Sequence, residues 1–187
     1  TALEIYRKCH TDLMAMFEKF DVASQDAALF GRPREDDLKE YKIACRKEVF
    51  ALSSAAAVLV SMARHVSENI DIPRFNEMRE SNFDGAQHEF VKKLRNNMNH
   101  VTFHESNWSI KNVGQEQTSH FEFNREKLLR DGGFNEKAQQ YITAQKGAID
   151  IRGLFESYYD RVNSFYGWLI PEIEEQLPLE AKDFRRC

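Results

Sequence analysis

Apolar residues recur at threes and fours along the first stretch of the chain. Leu3, Tyr6, Leu13, Phe17 and Phe20, with one seven-residue step, trace one face of a helix predicted over about Ala2–Phe30. Gly31-Arg32-Pro33 breaks that pattern. A longer helix is predicted over roughly Glu35–Asn69, carrying Leu38, Tyr41, Ile43, Val49 and Leu52. The small-residue run Ser53-Ser54-Ala55-Ala56-Ala57 follows on the same helix, where a neighbouring helix can approach closely. Asp71-Ile72-Pro73 ends the element, and between Arg74 and Asp84 the pattern is irregular and predicts nothing. Asp84 with Gln87 three residues on reads as a capping box, which starts a helix over Gly85 to about Val101.

Beyond that helix the period falls from 3.6 to 2. Trp108, Ile110 and Asn112 alternate with polar residues, as do Phe121 and Phe123 beyond Gly114-Gln115-Glu116, which predicts a β-hairpin insertion at about 106–123. Asn124 and Asn135 are candidate N-caps for two short helices, the first ending at Gly132-Gly133 and the second near Gln145. The last long helix is predicted over Ile149 to about Gln176, packing Leu154, Tyr158, Val162, Phe165, Trp168 and Leu169, with Pro171 kinking or ending it. The tail, about 178–187, is expected to fray. These elements predict an all-α fold: one domain over residues 1–187, a bundle of four to five helices with a small β-hairpin.

Composition agrees with that class. The chain has 187 residues, 42% of them hydrophobic, with 14 Phe and 6 Tyr, which is enough for a core that needs no staple. Eight Gly and four Pro are too few for a turn-rich all-β protein. The longest apolar run, about Val49–Met62, falls short of the ~20 residues of a membrane span. No signal peptide is visible, and three widely spaced cysteines, Cys9, Cys45 and Cys187, form no disulfide or zinc pattern. A cytoplasmic location away from membranes is therefore expected, with no cofactor. A net charge of -4 argues against a binder of bulk nucleic acid but leaves room for a local basic site.

One window supplies that site. At about 100° per residue, Phe90, Val91, Leu94, Met98 and Val101 share one face, and Lys92, Asn96, Asn99 and His100 the other, with Arg95 at its edge. From Phe90 to Gln115 four Lys/Arg stand against one Glu, a local charge of +3. A guanidinium can hold phosphate oxygens and a histidine can move the protons of phosphodiester cleavage without metal. Spacing alone also allows a solvated helix face that carries a histidine by chance. His100 lies five residues from Arg95, so one side chain must swing round or a second copy must supply it.

Leu94-Arg95-Asn96 followed by Asn99-His100 resembles the signature of the HEPN superfamily (higher eukaryotes and prokaryotes nucleotide-binding domains), an Arg, usually a polar neighbour, and a His four to six positions on. The order of elements over residues 35–175 is similar to that of uncharacterised bacterial HEPN-like proteins, in which a strand-like insertion, a short helix and a Tyr/Phe-rich last helix follow the motif helix. The resemblance implies an up-and-down bundle that pairs as a homodimer, with two motif helices facing each other. It also implies a metal-independent endoribonuclease of toxin–antitoxin or phage-defence type, acting on RNA. Arg95 would bind the phosphate, Asn96 orient groups and His100 transfer protons, with Lys92, Lys93 and Asn99 as substrate contacts. An antitoxin or a nucleotidyltransferase is an implied partner. Members paired with the latter carry a Tyr four residues after the His, where this chain has His104. The alternative is a non-catalytic dimeric binding or regulatory module of the same fold.

Other candidates read more simply. His100 and His104 at i, i+4 could grip a metal, but Thr102 and Phe103 suggest the helix is ending there. His88 is expected at the surface, His10, His65 and His120 in packing or at the surface, and Trp108 over the core. Arg32 and Arg34 read as a solvated loop.

Overall fold

The computed structural model describes residues 1–26, 29, 34–98, 106–113 and 116–176. Among them are seven helices and a three-stranded antiparallel sheet of order β1-β2-β3, so the protein is mostly helical. The three short helices described below take the number above the four to five expected.

Helix α1 spans Ala2–Ser24. Thr1 and Glu4 form a capping box at its start, satisfying backbone donors that would otherwise lack partners. Leu3, Tyr6, Leu13, Phe17 and Phe20 are all buried, as the spacing predicts. The helix ends before Phe30: the chain turns at Gln25 and Asp26, and Leu29 folds back into the core with its N–H on the Asp26 carbonyl at 3.0 Å. Helix α2 spans Glu35–Asn69, the predicted bounds, and opens with Glu35, Asp36 and Asp37, charges that suit the positive end of a helix dipole. Its buried arc runs through Cys45, Val49, Leu52, Ser53, Ala56, Leu59, Val60 and Ala63. Ile43, expected in that face, lies about 200° round the helix from Cys45 and is 64% exposed. By length and composition α2 could cross a membrane, and 39% of its most apolar window is buried.

The irregular stretch after α2 is a helix, α3, spanning Phe75–Phe83. Arg74 enters it in a left-handed conformation with φ 61°, and its guanidinium is held bidentate by Glu77 at 2.8 and 2.9 Å. Aromatic residues at the two ends of α3, Phe75 and Phe83, pack on Phe165 at 6.0 and 4.9 Å between ring centres. Helix α4 spans Ala86–Met98. Asp84 and Gln87 are engaged across the fold rather than in a capping box: Asp84 accepts from Lys137 at 2.7 Å, and Gln87 donates to Ser157.

The hairpin is present as β1, Ser106–Val113, and β2, Glu116–Phe123, with Trp108 opposite Phe121 and Ile110 opposite Ser119. Asn124 and Asn135 cap α5, Arg125–Asp131, and α6, Glu136–Ala144, each accepting from a backbone N–H at 3.0 Å. Ile149–Asp150, expected as the start of the last helix, instead pairs with β2 as β3. Helix α7 then spans Ile151–Gln176 and runs through Pro171, losing only the bond that a proline cannot donate.

Two anchors hold the layers together. Trp108 stacks on Phe20 with ring centres 3.6 Å apart and meets Phe17 edge-on, sealing α1 against the sheet as expected. Asp21 on α1 accepts from Arg152 of α7 at 2.6 Å and from Ser119 of β2, while Arg152 lies over the Phe17 ring.

Candidate functional site

Helix α4 divides as its spacing predicts. Phe90, Val91 and Leu94 are buried, Phe90 between the rings of Phe134 and Tyr141. Lys92 is exposed, and Lys93, Arg95 and Asn96 are half-buried. The Arg95 Nε and a terminal guanidinium nitrogen both donate to the Asn96 side-chain oxygen, at 3.2 and 3.0 Å. Arg95 and Asn96 are therefore one preformed unit, and among the described residues the remaining guanidinium N–H groups meet no other side chain. Lys92 reaches Glu89 at 2.8 Å, and Glu89 also accepts from Asn135 at 2.8 Å. Burial pushes the Glu89 carboxyl up, but these two hydrogen bonds outweigh it and hold it below the ordinary range. Asn99, His100 and His104 lie outside the described residues.

A cleft of about 160 Å³ opens between α2 and α4. Small side chains of α2, Ser53, Ala56, Ala57 and Ser61, leave the space, and Arg64 stands at the end of that row. Of the small-residue run, Ser53 and Ala56 are buried, and together with Ala57 they line the cleft. From α4 come His88, Val91, Lys92 and Arg95, and from α7 Tyr158. Among the described residues, every charged side chain lining the cleft is a cation: Arg64, Lys92 and Arg95. Among the described residues neither Arg64 nor Arg95 pairs with a carboxylate.

His88, expected at the surface, is buried. Its Nδ1 lies 2.8 Å from the Tyr158 hydroxyl, and its ring stacks roughly parallel to that of Tyr158. Burial pulls the imidazole down to about 4, with Lys92 and Arg64 adding to the effect and Glu89 and Asp84 opposing it. Burial also pushes the Tyr158 phenol up, so both members of the pair are neutral at pH 7. His88, Tyr158 and Arg64 went unnoticed as site residues. The available signal was the row Ser53, Ala57, Ser61 and Arg64, one helical turn apart, ending in a cation.

Of the remaining candidates, His10 and His65 follow the simpler readings, while Arg34, read as part of a solvated loop, is held by carboxylates. Arg34 is paired with Asp26 and Asp37 at 2.8 and 2.7 Å, and Arg32 lies outside the described residues. His10 stacks on Tyr159 at 3.8 Å, and His65 is exposed beside Glu68. Cys45 is a buried free thiol, raised by burial. Among the described residues no three His, Cys, Asp or Glu converge as metal ligands.

No protein-family model, curated protein or solved structure matches the chain. The functional reading therefore rests on the sequence motif and on the chemistry of the cleft.

Proposed function

We propose that the protein is a metal-independent endoribonuclease of HEPN type, with α1, α2, α4 and α7 as the up-and-down bundle and α4 as the motif helix of a homodimer. The observation that carries this reading is Arg95, held by Asn96, lining a cleft whose charged side chains, among the described residues, are all cations. A phosphodiester brings negative charge to such a place and gains charge-assisted hydrogen bonds there. In this reading Arg95 holds the non-bridging oxygens, Asn96 fixes the guanidinium plane, and Lys92, Lys93 and Asn99 meet neighbouring phosphates. His100 takes the proton of the 2′-hydroxyl or gives one to the leaving oxygen. The 2′-oxygen bonds to phosphorus as the bond to the 5′-oxygen breaks, leaving a 2′,3′-cyclic phosphate and a 5′-hydroxyl. Two motif helices brought together in a dimer supply Arg95 and His100 to one cleft from different copies. Such an enzyme suits a toxin or phage-defence role in the cytoplasm.

The test compares wild type with Arg95→Ala and His100→Ala on labelled total RNA and tRNA in EDTA. Cleavage by wild type alone, leaving cyclic-phosphate ends, supports the reading. Equal inertness of all three in confirmed dimers overturns it in favour of a binding module.

A further inference from the structure

The cleft holds a feature that the motif does not contain. Arg64 sits on α2, outside the window that bears Arg95, yet both arginines line one cavity from neighbouring helices. Lys92 is the third cation there, and Glu89, which holds it, does not line the cleft. Gathering like charges costs stability unless a counter-charge arrives, and none is among the described lining residues. The floor beneath them is neutral: alanines, two serines and the His88–Tyr158 pair. Ser53 directs its hydroxyl to the Val49 carbonyl at 2.8 Å, so it is already satisfied. The arrangement suits an anion with several acceptor oxygens, held from two sides by planar guanidinium forks.

We propose that this cleft binds the phosphate ester of a nucleotide, with Arg64 of α2 and Arg95 of α4 as its two clamps and Lys92 as a supporting charge. Only the choice of RNA as the source of that phosphate rests on the ribonuclease reading. The phosphate is then one next to the scissile bond, and Arg64 is a substrate-binding residue that sets where the strand enters. A free nucleotide offers the same chemistry.

The experiment measures binding of a single-stranded oligoribonucleotide with 2′-O-methyl groups, of adenosine 5′-monophosphate and of inorganic phosphate. Titration calorimetry gives affinities, and the ring signals of His88 in NMR report occupancy of the cleft. The proteins are wild type, Arg64→Gln, Ser61→Glu and His100→Ala. Arg64 and Ser61 are exposed, and a glutamate at 61 meets Arg64 at i, i+3, so both variants are expected to fold, which thermal melts verify. Arg64→Gln should weaken oligonucleotide binding about tenfold and lower the salt slope by about one. Ser61→Glu should abolish binding by supplying the missing counter-charge. His100→Ala should bind like wild type while failing to cleave, which separates this site from catalysis. Tighter binding of the oligonucleotide than of the monophosphate assigns the cleft to RNA, and equal binding with the same Arg64 dependence assigns it to a free nucleotide. Unchanged affinity in both Arg64→Gln and Ser61→Glu, or His88 signals that ignore every ligand, overturns the proposal, whether or not wild type cleaves RNA.

Discussion

Two arginine environments in this molecule differ in what surrounds them. Arg152 on α7 meets Asp21 of α1 at 2.6 Å, lies over the Phe17 ring, and shares its carboxylate with Ser119 of β2. Arg64 and Arg95 line a cleft with another cation and, among the described residues, no carboxylate. The first is a matched charge that ties three elements together. The second is an unmatched convergence, and its natural complement is an anion from outside. In the proposed reading, charge matching separates a guanidinium that holds the fold from one that meets a ligand.

The largest effect that bears on this contrast is catalytic. His100→Ala and Arg95→Ala should each lower RNA cleavage by about 10²–10⁴-fold, read from single-turnover rates in EDTA, with unfolding midpoints unchanged. On the structural side, Trp108→Ala should cost about 3–5 kcal/mol, measured by urea unfolding, because it removes the ring between Phe20 and Phe121.

The buried His88 gives the next effect, and its sign follows from proton linkage. Its imidazole titrates near 4 when folded and near 6.5 when unfolded, so the unfolded chain binds more protons between those values. Stability from this group is complete above about pH 6.5 and is lost as pH falls towards 4, by about 3 kcal/mol. Urea midpoints at several pH values should fall steeply in wild type and less steeply in His88→Gln. Asp21→Ala should cost about 1–2 kcal/mol through the loss of its hydrogen bonds to Arg152 and Ser119, visible as a lower melting temperature. Smallest of all, Arg64→Gln should leave stability within about 0.5 kcal/mol, or raise it slightly, as relief of like charge predicts. A large loss in that last variant would break the contrast between the two environments.

Much of the fold could be read directly because it repeats a short period. The buried face of α1, the described part of the α4 face, the bounds of α2, the hairpin, and the Asn caps of α5 and α6 are all local patterns. What escaped depends on distant partners. Helix α3 has nine residues anchored by an aromatic at each end, and β3 has two residues whose strand character comes from β2. His88 lies among polar neighbours, and its partner Tyr158 stands on α7, seventy residues away in the chain. Of the candidate site, Lys92, Lys93, Arg95 and Asn96 could be picked out from charge and spacing on one helix. Arg64 could not, since a lone arginine on a 35-residue helix gains meaning only from the helix packed against it.

Helix α7 contributes Tyr158 to the cleft and closes over α1, where Arg7 donates to Asn163 at 2.9 Å. Because synthesis proceeds from the N-terminus, α1, α2 and α4 leave the ribosome well before their last partner does. A nascent chain halted before residue 151 carries both arginines but not the phenol beneath them. Such a chain lacks the Tyr158 hydroxyl that the His88 Nδ1 meets at 2.8 Å, so that contact forms only once α7 has been made.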